Sequence, residues 1–150
     1  MAGGEGHLSG SAAFAQDDGS PDVLLRAALD AGDAEATLAR LREGARLLVP
    51  IVAVLDEAGA DGSDKSSHMA SVSLVQSDGR RGLLAFTSID TLRAWDPAAR
   101  PVPALAPAVA RAALEEEADG VLVDIAGPVR FALDGLALEE VAGAGPAAID

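Results

Sequence analysis

The densest group of residues that could do chemistry lies in one acidic stretch, residues 56–68. It holds four carboxylates and a histidine: Asp56, Glu57, Asp61, Asp64 and His68. An EF-hand loop needs ligands at alternate positions, a central glycine and a terminal glutamate, and this spacing differs from that pattern. Zinc needs three or four strong ligands, of which His68 is one. The favoured interpretation is a solvated acidic loop, so we predict no metal site and no cofactor-binding residue.

Lys65, Ser66 and Ser67 directly precede His68, which places a potential nucleophile beside a potential base. Adjacent residues in a loop rarely face each other, and the chain has neither a G-x-S-x-G nor an S-x-x-K motif. The same residues could present hydrogen-bond donors to a ligand, or could form the turn that leads into a strand. We therefore predict no catalytic residue and no enzyme activity.

A third candidate is the segment Phe86-Thr87-Ser88, followed by Trp95. Trp95 lies seven residues after Ser88, so its indole returns to the same helix face. These side chains could form a pocket or an interaction patch, because aromatic residues anchor interfaces. Alternatively, Phe86 and Trp95 fill the core of an aromatic-poor domain. The candidate interaction surface comprises Lys65, Ser66, Ser67, Phe86, Thr87, Ser88 and Trp95.

Short helices must position these segments. Ser20-Pro21-Asp22 predicts a helix start with Ser20 as the N-cap, and Gly32 ends that helix. Asp33 can cap a second helix, which Gly44 ends. Ser88 can cap a third, short helix that runs through Trp95.

The sequence also predicts strands between and after these helices. Residues 46–55 predict a buried strand, although Pro50 favours a bulge or a sheet edge. Residues 69–76 and 83–86 predict a hairpin, and the prolines of residues 100–103 require an extended chain. The remaining predicted elements are a helix over 107–117, strands over 121–125 and 129–133, and a helix over 136–141. The order ααβββααββα predicts an α+β fold with a mixed five-stranded sheet packed with helices.

The ends of the chain have a different composition from its middle. Residues 1–19 are mostly Gly, Ser, Ala and acidic residues, and residues 143–150 are similarly small. We predict a disordered leader over 1–19, one folded domain over 20–142 and a flexible tail over 143–150.

The net charge of −13 narrows the classes of partner. It disfavours nucleic acid and anionic membrane surfaces, and it favours a basic partner. The chain has no cysteine, which excludes disulfides and thiolate catalysis. Its longest apolar run, residues 47–55, is about half of the roughly 20 residues that a membrane span needs. With no recognisable secretory signal, we predict a cytoplasmic protein.

Four short motifs resemble the N-terminal domain of the SseB family, in particular the short forms from GC-rich Gram-positive bacteria. They are Lys65-Ser66-Ser67, Phe86-Thr87-Ser88, Trp95-Asp96-Pro97 and Ala126-Gly127-Pro128. The resemblance extends over about residues 20–140, and relatives often have Asp where this chain has His68. It implies a cytoplasmic bacterial domain of poorly defined function, with no accepted reaction and no established catalytic residues.

Two functions from different classes remain open. The first is a non-enzymatic module that binds an unidentified protein partner or a second copy of itself. The second is a small-molecule or anion sensor, in which Lys65, the neighbouring serines, Thr87 and Ser88 hold a carboxylate or phosphate. Both require residues 64–68 and 86–95 to converge in the fold.

Overall fold

The structure, a computed structural model, describes residue 14 and residues 16–56 and 66–144, with residues 53–56 and 66–69 described by their backbone alone. Five helices and seven strands form within these ranges. In chain order they are α1 (Val23–Asp30), α2 (Ala34–Arg42), β1 (Arg46–Asp56), β2 (Ser66–Ser71), β3 (Ser73–Val75), β4 (Arg81–Ala85), α3 (Ile89–Trp95), β5 (Arg100–Leu105), α4 (Ala106–Glu115), β6 (Gly120–Val123), β7 (Phe131–Asp134) and α5 (Gly135–Gly143). The fold class is α+β, as predicted. None of the helices in the described ranges is long and apolar enough to cross a membrane.

The strands form two sheets, so the predicted order ααβββααββα and the single five-stranded sheet were wrong. The first sheet is antiparallel and has the order β2-β1-β5, whereas the second has the order β3-β4-β6-β7, with β4 and β6 parallel. The predicted strand 69–76 breaks at Val72 into β2 and β3, which pair with different strands. The extended residues 100–103 lie within β5, a strand that the predicted order does not contain.

An antiparallel bridge between Leu48 and Phe86 joins the two sheets, with N···O distances of 2.7 and 2.8 Å. Successive backbone nitrogens on a strand point to opposite sides. The nitrogen of residue 50 therefore points to the same side of β1 as that of Leu48, toward β4 and β2. Pro50 lies between the bridge at Leu48 and the first β2 pair at Ile51, where β1 changes neighbour. The missing N–H of this proline therefore costs the sheet no ladder hydrogen bond, and Pro50 is accommodated inside a regular central strand.

The helices start at short polar side chains. Asp22 is the N-cap of α1 and accepts from the third helical N–H at 2.9 Å. The prediction of Ser20 as N-cap was wrong by two residues, because the Ser20 hydroxyl donates instead to Asp18 at 2.6 Å. Asp33 and Ser88 cap α2 and α3 as predicted.

Two hydrophobic clusters cover opposite faces of the second sheet. Leu83 and Val121 face the larger cluster, which is formed with α1, α2, α4 and α5. Leu84 and Phe86 face the smaller one, to which α3 contributes Leu92. Each buried Leu, Val or Phe side chain stabilises the fold by about 1.5–3 kcal/mol, so the two clusters hold the end of β4 rigidly.

Candidate functional site

A buried carboxylate lies where the two parallel strands end. Thr87 follows β4 and Asp124 follows β6, so both meet at the same edge of the sheet. Thr87 is 0% exposed and Asp124 is 2% exposed. Asp124 accepts from the Thr87 N–H at 2.8 Å, from the Thr87 hydroxyl at 2.7 Å and from the Thr91 hydroxyl at 2.8 Å. These three hydrogen bonds tie the end of β6 to the start of α3.

The backbone of Asp124 is left-handed, with φ of 57°. Asp tolerates this conformation better than most residues, but it still costs free energy relative to the usual regions. The Asp124 N–H donates to the Ala85 carbonyl at 3.0 Å, and the Asp124 carbonyl accepts from Gly127 at 3.0 Å. The backbone and the carboxylate are thus fixed together, which allows the uncommon conformation to persist.

Two arginines, one in α1 and one in β1, donate hydrogen bonds to Thr87. Arg26 of α1 donates to the Thr87 hydroxyl oxygen at 2.7 Å and to Ser88 Oγ at 3.3 Å. Arg46, the first residue of β1, donates to the Thr87 carbonyl at 3.0 Å. The Thr87 hydroxyl therefore donates to Asp124 and accepts from Arg26, which links a buried carboxylate to a guanidinium. Because no solvent reaches this hydroxyl, we interpret it as a structural connector.

Residues 17–20, which we name the strap, pass beside Arg46. Asp17 Oδ2 lies 2.7 Å from Arg46 Nε, and both side chains are about 15% exposed. Arg46 also donates through Nη2 to the Ser20 carbonyl. One guanidinium thus joins the strap to the start of β1 and, through Thr87, to the end of β4.

The strap also closes the start of α3. The Ile89 N–H donates to the Gly19 carbonyl at 2.8 Å. Gly19 has φ of 83°, and a Cβ at this position would lie 2.9 Å from Ile89 Cβ, so only glycine fits here without rearrangement. Residues 17–20 are thus fastened to β1 and to the start of α3. Residues 1–13 and 15 of the predicted leader lie outside the described residues.

Asp22 forms a second ion pair, with Arg40 of α2. The carboxylate accepts from Arg40 Nε at 3.0 Å and from Nη2 at 2.7 Å. The Arg40 hydrogen bond lowers the pKa of Asp22 below its ordinary value of 3.8, although burial opposes this effect. The same pair raises the pKa of Arg40. Asp22 thereby caps α1 and fastens α1 to α2.

We expect Asp22→Asn to destabilise the domain by about 1–2 kcal/mol at pH 7, because Asn keeps a cap acceptor but loses the charge-assisted pair. The folded pKa is depressed, so this stabilisation is complete above the ordinary pKa of 3.8 and is lost as pH falls through the folded pKa. Urea unfolding from pH 7 to pH 2.5 should show the gap between wild type and variant closing at the acid end. A gap that stays constant would contradict the assignment. Glu43→Gln, which removes the exposed second partner of Arg40, should cost under about 0.5 kcal/mol.

The segments in the sequence-based candidate surface lie apart. Lys65 lies outside the described residues, and Ser66 pairs with Asp56 in β1. Phe86 pairs with Leu48 of the same strand, eight residues away. At about 3.3 Å per residue, that is roughly 26 Å along β1. The Ser66-Ser67 and Phe86-Ser88 segments therefore lie far apart in the described structure, whereas an anion site that includes Lys65 stays a prediction.

Phe86, Thr87 and Ser88 lie inside the fold, with exposures of 0%, 0% and 2%. Ser88 caps α3 in a capping box with Thr91. Trp95 is half-buried, and its ring centroid lies 5.7 Å from that of Phe86. Because Phe86, Thr87 and Ser88 are buried, they offer no surface to a partner. Their burial favours the interpretation that Phe86 and Trp95 fill the core.

No group of three or more His, Cys, Asp or Glu residues within the described part of the chain could hold a metal ion. Residues 57–65, which carry three of the acidic side chains considered above, lie outside it. That this loop holds no metal ion therefore stays a prediction.

A family model described as the SseB protein N-terminal domain matches residues 23–140. The chain belongs to the SseB family. The matched span runs from the first residue of α1 into α5, so it includes Arg26, Arg46, Thr87 and Asp124 and begins after the strap. No curated protein and no solved structure matches the chain.

In this SseB domain, sequence patterns had pointed to Thr87 and Ser88 but not to Arg26, Arg46 or Asp124. One local signal does exist for Asp124. It follows the apolar strand residues 120–123 directly, and Thr87 comes two residues after the end of β4. Polar residues after neighbouring parallel strands meet at one sheet edge, but the parallel pairing of β4 and β6 had first to be known.

Proposed function

We propose that this SseB domain is a non-enzymatic module that binds another protein through an exposed apolar face of α1. The observation that carries the proposal is the exposure of Val23 and Leu24, which are 78% and 62% accessible. Ala27 and Ala31 are also exposed. At 100° per residue these four occupy one continuous sector of the helix. We name them the α1 face.

Single exposed aliphatic residues are ordinary, but neighbouring ones form a patch that loses free energy by remaining in water. Burying a Val or a Leu side chain contributes about 1.5–3 kcal/mol, so the α1 face can supply the centre of an interface. Leu25, Ala28 and Leu29 on the opposite side of α1 are buried and fix the helix to the domain. The surface is therefore preformed, which limits the entropy lost on binding.

Acidic residues surround this face along the chain. Asp18 precedes α1, Asp30 ends it and Asp33 follows it, and all three are exposed. Two copies of this chain, each with a net charge of −13, would bring these carboxylates together. The charge therefore favours a basic partner over self-association.

The test compares Val23→Ser/Leu24→Ser with Leu136→Ser, a control residue that is 76% exposed at the start of α5. The purified proteins serve as baits in extract of the native cell, and recovered proteins are quantified by mass spectrometry. We expect at least one partner whose recovery falls about tenfold or more with the double variant and is unchanged with the control. Both variants should change the free energy of unfolding by under about 0.5 kcal/mol.

Two results would contradict the proposal. One is a set of recovered proteins that is identical for wild type and the double variant. The other is concentration-dependent self-association, abolished by the double variant, in sedimentation velocity at 150 mM salt; this would assign the α1 face to a second copy of the chain.

A further inference from the structure

The outer edge of β7 directs main-chain groups away from the domain. β7 is the last strand of the second sheet, so no strand among the described residues follows it. The Asp124 N–H donates to β4, and backbone groups alternate in direction along a strand, so the odd-numbered residues of β6 face β7. There Val121 pairs with Leu133. The N–H and C=O groups of Ala132 and the N–H of Asp134 therefore point outward.

The corresponding edge of β5, in the first sheet, is closed by proline. The Leu48 N–H and C=O face Phe86, so the odd-numbered residues of β1 bond to the even-numbered residues of β5. Pro101 and Pro103 therefore lie at the outward positions. Proline has no N–H, so a further strand cannot form a regular ladder on this edge. At β7 the outward positions are not proline, and its edge retains its donors.

The side chains at the outward positions of β7 carry a self-complementary pattern of charge. Arg130 precedes the strand, Ala132 lies within it and Asp134 ends it; all three are exposed, and their spacing of two places them on one face. When two copies of β7 pair antiparallel about Ala132, each Arg130 lies opposite the Asp134 of the other copy. Facing opposite charges stabilise a strand pair, whereas a register centred on Arg130 or on Asp134 places like charges opposite each other.

An apolar row lies between the two charged positions. Leu122 of β6 pairs with Ala132, and its half-buried side chain belongs to the smaller hydrophobic cluster. In the antiparallel pairing, the Leu122–Ala132 rows of the two copies meet at the centre. An apolar centre with charged groups at its rim is the usual anatomy of a protein interface.

Two electrostatic features could oppose the contact, and neither excludes it. Asp134 Oδ2 lies 3.2 Å from Arg80 Nη2, but a carboxylate has about four acceptor sites and can accept from a second guanidinium. Each copy has a net charge of −13. At 150 mM salt the Debye length is about 8 Å, so charges distant from this edge are largely screened.

We propose that β7 pairs antiparallel with β7 of a second copy of this chain, centred on Ala132, to give a symmetric dimer. The two four-stranded sheets become one continuous sheet. Each Ala132 exchanges N–H and C=O hydrogen bonds with its counterpart, and the Asp134 N–H donates to the Arg130 carbonyl of the other copy. The contact uses the same surface on both copies, so it closes at two. The α1 face plays no part in it, and the two proposals stand independently.

Sedimentation velocity of the full chain at 150 mM salt tests the dimer. A single strand pair is a small interface, so the sedimentation coefficient of wild type should rise from monomer toward dimer between about 10 µM and about 1 mM. Ala132→Pro removes the central donor from both copies, and an edge position tolerates proline because its N–H points outward. This variant should associate about tenfold or more weakly than wild type.

Charge reversal tests the register. Arg130→Asp and Asp134→Arg each place like charges opposite each other, so each variant alone should remain monomeric. An equimolar mixture of the two restores opposite charges at both positions and should form a one-to-one dimer as readily as wild type. Arg93→Asp is the matched control, because it changes the net charge as Arg130→Asp does but lies exposed on α3, and it should dimerise as wild type does.

A wild-type protein that stays monomeric throughout, unchanged association of the proline variant, or a monomeric mixture of the two charge variants would each overturn the proposal. If Asp134→Arg fails to fold, the proline variant and the comparison of the two Arg→Asp variants decide. Val23→Ser/Leu24→Ser should dimerise as wild type does. Loss of the dimer in that variant would assign self-association to the α1 face, whereas a monomeric wild type would leave the α1 face proposal intact.

Discussion

Asp124→Ala should destabilise the domain by about 3–5 kcal/mol, the largest effect of any substitution considered for this chain. The change removes the acceptor of three hydrogen bonds, leaves the Thr87 N–H buried without a partner, and places Ala in a left-handed conformation. Small domains have a total stability of about 5–15 kcal/mol, so the variant should be close to unfolding. Urea denaturation followed by circular dichroism measures the difference.

Two further variants separate the causes. Asp124→Gly also loses the carboxylate but adopts positive φ without strain, so it should be about 1 kcal/mol more stable than Asp124→Ala. Asp124→Asn keeps one acceptor oxygen and tolerates the conformation, so it should cost about 1–2 kcal/mol. If Ala, Gly and Asn variants all unfold within about 0.5 kcal/mol of wild type, the carboxylate does not hold the junction of β4, β6 and α3.

Local sequence signals predicted the elements whose causes are local. Asp33 and Ser88 cap helices because a short acceptor side chain precedes an amphipathic run, and Gly44 follows α2 with φ of 103°. The apolar residues 46–55 predicted β1 because such a run is itself a local signal for a buried strand. Ser20 does not cap α1, because its hydroxyl donates to Asp18 and its carbonyl accepts from Arg46.

The pairing of strands depends on long-range contacts that no local pattern contains. Alternation over residues 69–76 predicted a strand correctly, but not that the chain exchanges β1 for β4 as partner at Val72. Pro101 and Pro103 predicted an extended chain, and they are compatible with β5 because it is an edge strand. The single-sheet prediction failed at these two places.

The buried network was only half visible in the sequence for the same reason. Thr87 and Asp124 are 37 residues apart, and they meet only because β4 and β6 are parallel neighbours. The motif Phe86-Thr87-Ser88 stood out through its resemblance to relatives, but its residues serve the interior. Exposure depends on the tertiary fold in the same way: Val23 and Leu24 are apolar, yet they are 78% and 62% exposed.

Arg46→Met should destabilise the domain by about 2–3 kcal/mol and should loosen the strap before the rest of the fold. Methionine retains the apolar stem but none of the hydrogen bonds to Asp17, Ser20 and Thr87. The Ile89 N–H, which donates to Gly19 of the strap, should exchange with solvent at least tenfold faster than in wild type. Urea denaturation and hydrogen–deuterium exchange measure the two effects separately.

Arg42→Met is the matched control, because Arg42 is 43% exposed and its nearest carboxylate, on Glu140, is 3.7 Å away. Such a surface pair contributes about 0–1 kcal/mol, so this variant should unfold nearly as wild type does and leave Ile89 exchange unchanged. Asp17→Asn should cost about 1 kcal/mol, since Arg46 keeps its two carbonyl acceptors. Equal stability of the Arg46 and Arg42 variants would mean that the strap is not fastened by its guanidinium. Loss of global stability without faster Ile89 exchange would place the role of Arg46 at Thr87 alone.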